Sequence, residues 1–246
     1  MNPQLKSAVL GGVFGALISV VTILGLAFLG YFPPPSDQQF ERYLMSHPAI
    51  VFAMSEKAQE EQAESDERKR QDAVDALGSK TFFDPKVAFV TGPANAKRTV
   101  VEFFDYNCVH CRNSFPAVQK FYSAHKNDTR FAFVEFPIFG QASNNAARAA
   151  LAARLQKDKY VAFHFALMGE EGSIGTDQIL HAARQVGLDV DKLTNDLKNP
   201  AVDRQMTAAH ALAARAGIDG TPTFIINGKV HSGEVTESEL KQMSRS

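Results

Sequence analysis

The chain opens with a long apolar segment, Ala8–Leu29, which contains 22 residues and no charged side chain. At about 1.5 Å per residue, a helix of this length spans a hydrocarbon core of about 30 Å. A signal peptide usually has a shorter apolar segment followed by a cleavage site of small residues, whereas this segment continues into Tyr31-Phe32-Pro33. The pattern favours an uncleaved membrane anchor over 1–30. Lys6 before the segment favours a cytoplasmic N-terminus, with the rest of the chain outside the cytoplasm.

Residues 31–80 are predicted to form a proline-rich spacer and a charged helical neck. The run Pro33-Pro34-Pro35 is typical of an extended, stiff segment. Apolar residues recur at helical spacing within Phe40–Met54, and no residue of Ser55–Ala73 is both apolar and larger than alanine. The neck is therefore either a solvated stalk or, through Phe40–Met54, a surface for assembly into an oligomer.

From about residue 81 the apolar residues form short runs that are typical of strands, separated by segments with a helical period. The predicted strands, in chain order, are Val87–Val90, Thr99–Phe104, Phe131–Phe136, Phe224–Ile226 and Lys229–His231. A helix begins near Cys108, so we expect the second and third strands to be parallel neighbours joined by a right-handed crossover. Only helical periods occur between about 139 and 217. The pattern predicts an α/β domain over 81–246 with a helical insertion at about 139–217.

Composition narrows the class of protein further. Of the 246 residues, 45% are hydrophobic and 22% are charged, which is typical of a globular protein and excludes a wholly disordered chain. Lysine and arginine together number 26 and the acidic residues 27, so the net charge of −1 gives no reason to expect a nucleic-acid partner. The two cysteines are too few for a disulfide-dense scaffold or a cysteine-rich zinc or iron–sulfur site.

Both cysteines lie in one short motif, Cys108-Val109-His110-Cys111. A structural disulfide across so short a loop would restrain little of the unfolded chain, and a metal site would need two further ligands. Cys108 is predicted to lie at the N-terminus of a helix. Unpaired N–H groups and the helix dipole stabilise negative charge there, which favours a thiolate. His110 can add a donor or a positive charge, and Cys111, one turn later, is expected to be the buried resolving thiol. Exchange between such a dithiol and a disulfide needs no metal and no other cofactor.

The segment from Val101 to Arg112 resembles the active-site stretch of the DsbA-like thiol–disulfide oxidoreductases of the thioredoxin superfamily. The resemblance extends from about Asp84 to Glu239. Pro116 matches the proline that kinks the active-site helix, and the run Gly220-Thr221-Pro222-Thr223 matches the cis-proline loop. The resemblance implies a thioredoxin-like fold with a helical insertion, here preceded by a transmembrane helix and a helical neck.

The same resemblance implies roles for residues at matching positions. Cys108 would exchange with the sulfur of a substrate, and Thr221 and Pro222 would lie over the motif and hydrogen-bond an extended substrate peptide. Glu102 matches a buried acid that helps to move the proton of Cys111. The apolar neighbours of Glu102 in the sequence favour burial, which would raise its pKa and suit proton transfer near neutral pH.

Two departures from the family pattern leave the direction of the reaction open. The strongest oxidants of the family carry Pro-His where this chain has Val109-His110, and the neck is absent from minimal members. The main hypothesis is an extracytoplasmic enzyme that forms disulfides in substrate proteins through the CVHC motif. The first alternative is an oligomeric disulfide isomerase that uses the neck. The second alternative is a non-enzymatic copper-binding or chaperone module, although copper carriers of similar fold tend to have a CxxxC motif.

Localisation and partners follow from the anchor and the resemblance. The chain is expected in the inner membrane as a single-pass protein, with its catalytic domain in the periplasm. Its substrates would be unfolded or misoxidised secreted proteins. A membrane redox partner would restore the thiol pair, as a quinone-linked oxidase in the first hypothesis and as an electron donor in the isomerase alternative.

Overall fold

The computed structural model describes residues 36–245 together with Ser19, Val21, Thr22 and Leu26. The predicted anchor over 1–30 lies outside the described residues except at those four positions, and so does the proline run of the spacer. In the part of the chain that is described, no helix combines the length and the apolar character needed to cross a membrane.

The chain divides into two compact units between Glu61 and Gln62. The described part of the first unit contains α1 (Asp37–Ser46) and the first half of α2 (Pro48–Leu77). The side chain of Ser36 caps α1 by accepting a hydrogen bond from the N–H of Gln39. The large apolar side chains of this segment are mostly exposed, namely Phe40, Tyr43, Met45, Val51, Phe52 and Met54.

The second unit contains the end of α2 and the elements that follow it. Its strands are β1 (Phe89–Thr91), β2 (Arg98–Phe104), β3 (Thr129–Glu135), β4 (Thr223–Ile226) and β5 (Lys229–Ser232). Its further helices are α3 (Ser79–Phe82), α4 (Val109–His125), α5 (Gln141–Ala153), α6 (Tyr160–Met168), α7 (Thr176–Gln185), α8 (Val190–Asp196), α9 (Pro200–Arg215) and α10 (Glu237–Met243). Between β3 and β4 the described chain is helical in all its regular elements, in agreement with the helical periods of the sequence.

The five strands form one mixed sheet in the order β1-β3-β2-β4-β5. The parallel pairing of β2 with β3 is confirmed, and the other neighbours are antiparallel. Asn227 and Gly228 both have positive φ and join β4 to β5 in a two-residue hairpin. The first strand begins later than predicted, because the N–H groups of Val87 and Ala88 bond the carbonyl of Asp84 in a turn.

Two helical layers cover the sheet, and alternate residues of each strand face opposite layers. Val100 and Phe104 of β2 pack against the layer that contains α4 to α8 and α10. Val101 and Phe103 pack on the other side, against α9 and the end of α2. By this alternation Glu102 faces the same layer as α4, so a carboxyl group lies in the core beside the helix that carries the thiols.

The end of α2 belongs to the second unit, although the sequence pattern places a neck over the whole of 31–80. Val74 is buried in the core beside α9. Gln71 Nε2 donates to the carbonyl of Gly228 at 2.9 Å, and Gln71 Oε1 accepts from the N–H of Val230 at 3.0 Å. Arg70 Nε donates to the carbonyl of Gly217 at 3.2 Å. The last turns of α2 therefore cover the hairpin and the end of α9.

Candidate active site

Cys108 lies at the N-cap position of α4, with an extended backbone conformation. Its carbonyl oxygen accepts a hydrogen bond from the N–H of Arg112 at 3.1 Å, which is the first bond of the helix. The sulfur therefore lies at the positive end of the helix dipole, where negative charge is stabilised. Cys111 follows one turn later, and both cysteines are free thiols that are only 1% exposed.

The loop before β4 faces the first thiol. The Thr221–Pro222 peptide bond is cis, as the family resemblance implies. The sulfur of Cys108 lies 3.1 Å from the carbonyl oxygen of Thr221, to which it donates a hydrogen bond while it is protonated. The structure thus brings together the motif and the two residues for which the sequence predicts substrate contacts.

The environments of the two thiols separate their pKa values in opposite directions. A hydrogen bond from the Cys111 thiol is the main cause that lowers the pKa of Cys108 to about 6, and the N–H groups of His110 and Cys111 add to it. Burial is the main cause that raises the pKa of Cys111 far above its ordinary value, and the hydrogen bond to Cys108 acts in the same direction. At neutral pH, Cys108 is therefore a thiolate and Cys111 keeps its proton.

The side chain of His110 is largely exposed and bonds a residue that the sequence did not single out. Its Nδ1 atom lies 2.5 Å from Oε1 of Glu234, in the loop after β5. This hydrogen bond is the main cause that raises the pKa of His110. The ring thus engages Glu234, while the backbone N–H of His110 stabilises the Cys108 thiolate.

Glu102 is buried in the middle of β2, 3% exposed, and burial raises its pKa to about 8. Among the described residues, its Oε2 atom has no hydrogen-bond partner. The charged form of Glu102 would also raise the pKa of Cys111, as a minor contribution after burial and the hydrogen bond to Cys108. Glu102 is thus a buried acid that is mostly protonated at neutral pH, on the face of the sheet that packs against α4.

A second buried acid, Glu135, was missed by the sequence reasoning. It ends β3, and its Oε1 atom accepts hydrogen bonds from Tyr160 at 2.7 Å and from Tyr106 at 3.2 Å. Burial is the main cause that raises its pKa well above the ordinary value. Its signal in the sequence was the same as that of Glu102, a single acid inside an apolar strand.

Asp105 is a third residue, after Glu234 and Glu135, that the sequence did not single out. This buried carboxylate accepts hydrogen bonds from the N–H of Asn107 at 2.8 Å and from those of Ile138 and Phe139 at 2.8 and 3.0 Å. It therefore joins the loop before Cys108 to the loop after β3. An aspartate between a strand and a turn is a common partner of nearby N–H groups, but the sequence does not reveal the distant pair.

Exposed apolar side chains lie on the loop after β3 and at the start of α4. Val109 follows the first cysteine and is 61% exposed, and Phe139 is 54% exposed. Ile138 is partly exposed beside it. Because Asp105 holds the loop after β3 close to the loop before Cys108, this apolar surface adjoins the thiol pair. No group of three or more His, Cys, Asp or Glu side chains within the described residues is placed to hold a metal ion.

The sheet order, the thiol pair at the start of the helix after β2 and the cis proline before β4 define a thioredoxin-like fold. The chain belongs to the family of DSBA-like thioredoxin domains, whose family model matches residues 99–243, more than half of the sequence. The family predicted from the sequence is therefore confirmed.

Solved and curated proteins agree with this assignment. The chain is 42% identical to a thioredoxin-like oxidoreductase from Silicibacter pomeroyi DSS-3, with a TM-score of 0.62 over 68% of this chain and 95% of the other. It is 30% identical over 167 residues to disulfide bond formation protein D of Bacillus subtilis, covering 62% of this chain and 73% of that protein.

Other relatives are much longer proteins, of which this chain matches only a part. The chain is 27% identical over 146 residues to the Na(+)/H(+) antiporter NhaA of Herminiimonas arsenicoxydans, covering 59% of this chain but 23% of the antiporter. The chain thus spans about a quarter of the length of the antiporters that it matches.

The separated thiol pKa values predict selective alkylation of the reduced protein. Iodoacetamide should modify Cys108 with a rate that rises around pH 6 and levels off above about pH 7, and should leave Cys111 unmodified, as measured by mass spectrometry of digested protein. Replacing Cys111 by Ala should move the midpoint upward, because the donor to Cys108 is lost. The Cys111→Ser variant keeps a hydroxyl donor and should stay closer to the native midpoint. Equal midpoints in the Ala and Ser variants would contradict this account of the thiolate.

Burial of Glu102 predicts a pH-dependent stability. Its pKa is about 8 in the folded protein and near 4.5 when the group is solvated, so the folded state binds a proton that the unfolded state releases. The free energy of unfolding should therefore fall as the pH rises from about 4.5 to about 8. In the Glu102→Gln variant the free energy of unfolding should not fall over this pH range. The variant should therefore be more stable than the native chain by about 3–5 kcal/mol at pH 8, but not at pH 4.5. Urea unfolding at both pH values measures the difference, with exposed Glu171→Gln as the control. A constant difference across the window would refute the role of burial.

Proposed function

We propose that this protein is an extracytoplasmic thiol–disulfide oxidoreductase that forms disulfides in substrate proteins through Cys108 and Cys111. The observation that carries the proposal is the difference in pKa and in environment between the two sulfurs. Cys108 has a lowered pKa and lies at a helix start opposite the cis proline, whereas Cys111 is buried and keeps its proton. A stable thiolate at Cys108 makes this sulfur a good leaving group, which favours transfer of the disulfide to a substrate.

In the proposed reaction the enzyme starts with a Cys108–Cys111 disulfide. A substrate thiolate attacks the sulfur of Cys108, the Cys108–Cys111 bond breaks, and Cys111 leaves with the electron pair and takes up a proton. A second substrate thiolate then attacks the substrate sulfur of the mixed disulfide, and Cys108 leaves as a thiolate. Two electrons have passed from the substrate to the enzyme, the substrate holds a new disulfide, and the enzyme is a dithiol.

We propose that Glu102 donates a proton to the sulfur of Cys111 and takes it back during reoxidation. The departing Cys111 sulfur is buried, so its negative charge is costly until a proton arrives. Glu102 is an acid with a pKa of about 8 that interacts with this sulfur, and at neutral pH it carries a proton to give. The reverse transfer during reoxidation would return the proton to Glu102.

The proposed substrates are unfolded secreted proteins, whose exposed apolar side chains would lie on Val109, Ile138 and Phe139. Thr221 and Pro222 would bond the backbone of the same extended segment beside Cys108. This choice rests on the apolar surface next to the thiol, since a folded protein seldom offers a flexible apolar segment to such a site.

We also propose the cellular setting that the sequence predicts. The segment 1–30 would hold the chain in the inner membrane, 31–80 would separate it from the bilayer, and the domain over 81–246 would act in the periplasm. A disulfide-forming enzyme ends each cycle as a dithiol, so it needs an oxidising partner, for which a quinone-linked membrane protein is the expected class.

The central test is the capture of a mixed disulfide. The Cys111→Ala variant should accumulate a covalent complex with an unfolded protein that contains disulfides, because the resolving thiol is absent. The complex should disappear on addition of dithiothreitol and should not form with Cys108→Ser. Oxidation of a reduced, unfolded protein should fall to the uncatalysed rate in both variants. Full activity of Cys108→Ser would exclude the proposed nucleophile.

An oligomeric isomerase is the second candidate, and the exposed apolar residues of α1 and the first half of α2 favour it. Met45 and Phe52 are among the most exposed of these. A chain that buries this surface against copies of itself would hold several thiol pairs around one misoxidised substrate. The reaction would then begin with attack of the Cys108 thiolate on a substrate disulfide and would require a reducing partner.

Substitution in the full chain separates the two candidates. If the protein is an isomerase, the chain should be oligomeric by light scattering and should recover a scrambled-disulfide protein, and Met45→Ser with Phe52→Ser should abolish both properties. The exposed Ala58→Ser on the same helix is the control. If the protein is an oxidase, the substitutions should leave rapid oxidation of a reduced substrate unchanged, and a scrambled substrate should not be recovered by either form.

A further inference from the structure

The loop after β5 places a carboxylate beside the CVHC motif. Glu234 Oε1 lies 2.5 Å from Nδ1 of His110 and accepts a second hydrogen bond from Asn113 Nδ2 at 2.9 Å. Both partners are on the exposed face of the first turns of α4. His231 of β5 bonds the backbone carbonyl of Glu234 through Nε2 at 3.1 Å. One carboxylate oxygen thus joins the loop to the histidine that separates the two thiols.

The backbone around Glu234 is fixed independently of its side chain. The N–H of Val235 donates to Oγ of Ser114 at 3.0 Å, and Ser114, fully buried, donates in turn to the carbonyl of His110 at 3.0 Å. Further along α4, Lys120 forms an ion pair of 2.6 Å with Glu237. The segment therefore contacts α4 at its first two turns and again at Lys120, and these contacts fix the position of Glu234 without its side chain.

The ion pair between His110 and Glu234 contributes little to the stability of the fold. The side chains of His110 and Glu234 are 61% and 43% exposed, and exposed ion pairs contribute little to the free energy of unfolding. The titratable groups that face the ring are Glu234 from the loop and Cys108 from the start of α4, and both favour its charged form. Asn113 is neutral, and His231 contacts only the backbone of Glu234. The arrangement bears on the charge of His110 and, through it, on Cys108.

We propose that Glu234 is a positioning residue that holds His110 in its charged form and in a fixed orientation beside the thiol pair. This inference rests on the proposed function, because it concerns the balance between the dithiol and the disulfide. A charged ring near Cys108 stabilises the thiolate and hence the reduced enzyme, which makes the disulfide a stronger oxidant. Glu234 maintains that charge at pH values at which an ordinary histidine, with a pKa of about 6.5, has lost it.

The direct test is the titration of the His110 ring by NMR in the full-length protein. In the Glu234→Gln variant the pKa of His110 should fall towards about 6.5, the ordinary value for histidine. The Glu237→Gln variant removes an ion pair of the same segment without touching the ring, and it should leave the titration of His110 unchanged. An unchanged titration in Glu234→Gln would overturn the proposal. This measurement needs no enzymatic activity, so it stands even if the protein fails to exchange disulfides.

The redox consequence is tested with glutathione buffers at two pH values. At pH 7.5, Glu234→Gln should shift the equilibrium from the dithiol towards the disulfide by about two- to fivefold, because the ring is then neutral. At pH 5.5 the ring is charged in both proteins, and the shift should vanish. In a His110→Ala background, Glu234→Gln should have no further effect at pH 7.5. An equal shift in that background would mean that Glu234 does not act through His110, and the proposal would be wrong.

Discussion

The hydrogen bond from the Cys111 thiol to the sulfur of Cys108 is the interaction on which the site depends. It is the largest contribution to the lowered pKa of Cys108, and it contributes to the raised pKa of Cys111. This bond favours the thiolate at Cys108, whereas burial is the main cause that keeps Cys111 protonated. Cys111 is buried and lies one helical turn from Cys108, so the packing of α4 against the sheet sets the protonation of both sulfurs.

The sheet adds two buried carboxyl groups to the site at the start of α4. A buried carboxyl group in an apolar strand is costly when it is charged. Burial therefore raises the pKa of both Glu102 and Glu135. Both acids face the layer that contains α4, so the core beside the thiols holds protons instead of charges at neutral pH. The same burial that lowers the stability of the fold at high pH therefore keeps these two acids protonated at neutral pH.

The parts of the fold and site that were predictable are those encoded by residues close together in the sequence. The spacing of Cys108 and Cys111 after an apolar strand was enough to locate the helix start. The cis proline was located by the resemblance of the run around Pro222 to the loop of the family. The contact between His110 and Glu234 joins residues far apart in the sequence, so no local pattern reports it. The start of β1 was misplaced for a different reason, because a local turn directs the N–H groups of Val87 and Ala88 to the carbonyl of Asp84.

Asp105 has a consequence for how such a site can change during evolution. Its carboxylate reaches the loop after β3 through backbone N–H groups only, and every residue except proline offers that group. Ile138 and Phe139 can therefore be exchanged for other side chains while the loop keeps its anchorage to the segment that leads into Cys108. The apolar character of the surface beside the thiol can therefore change among descendants, while the backbone that leads into Cys108 keeps its position.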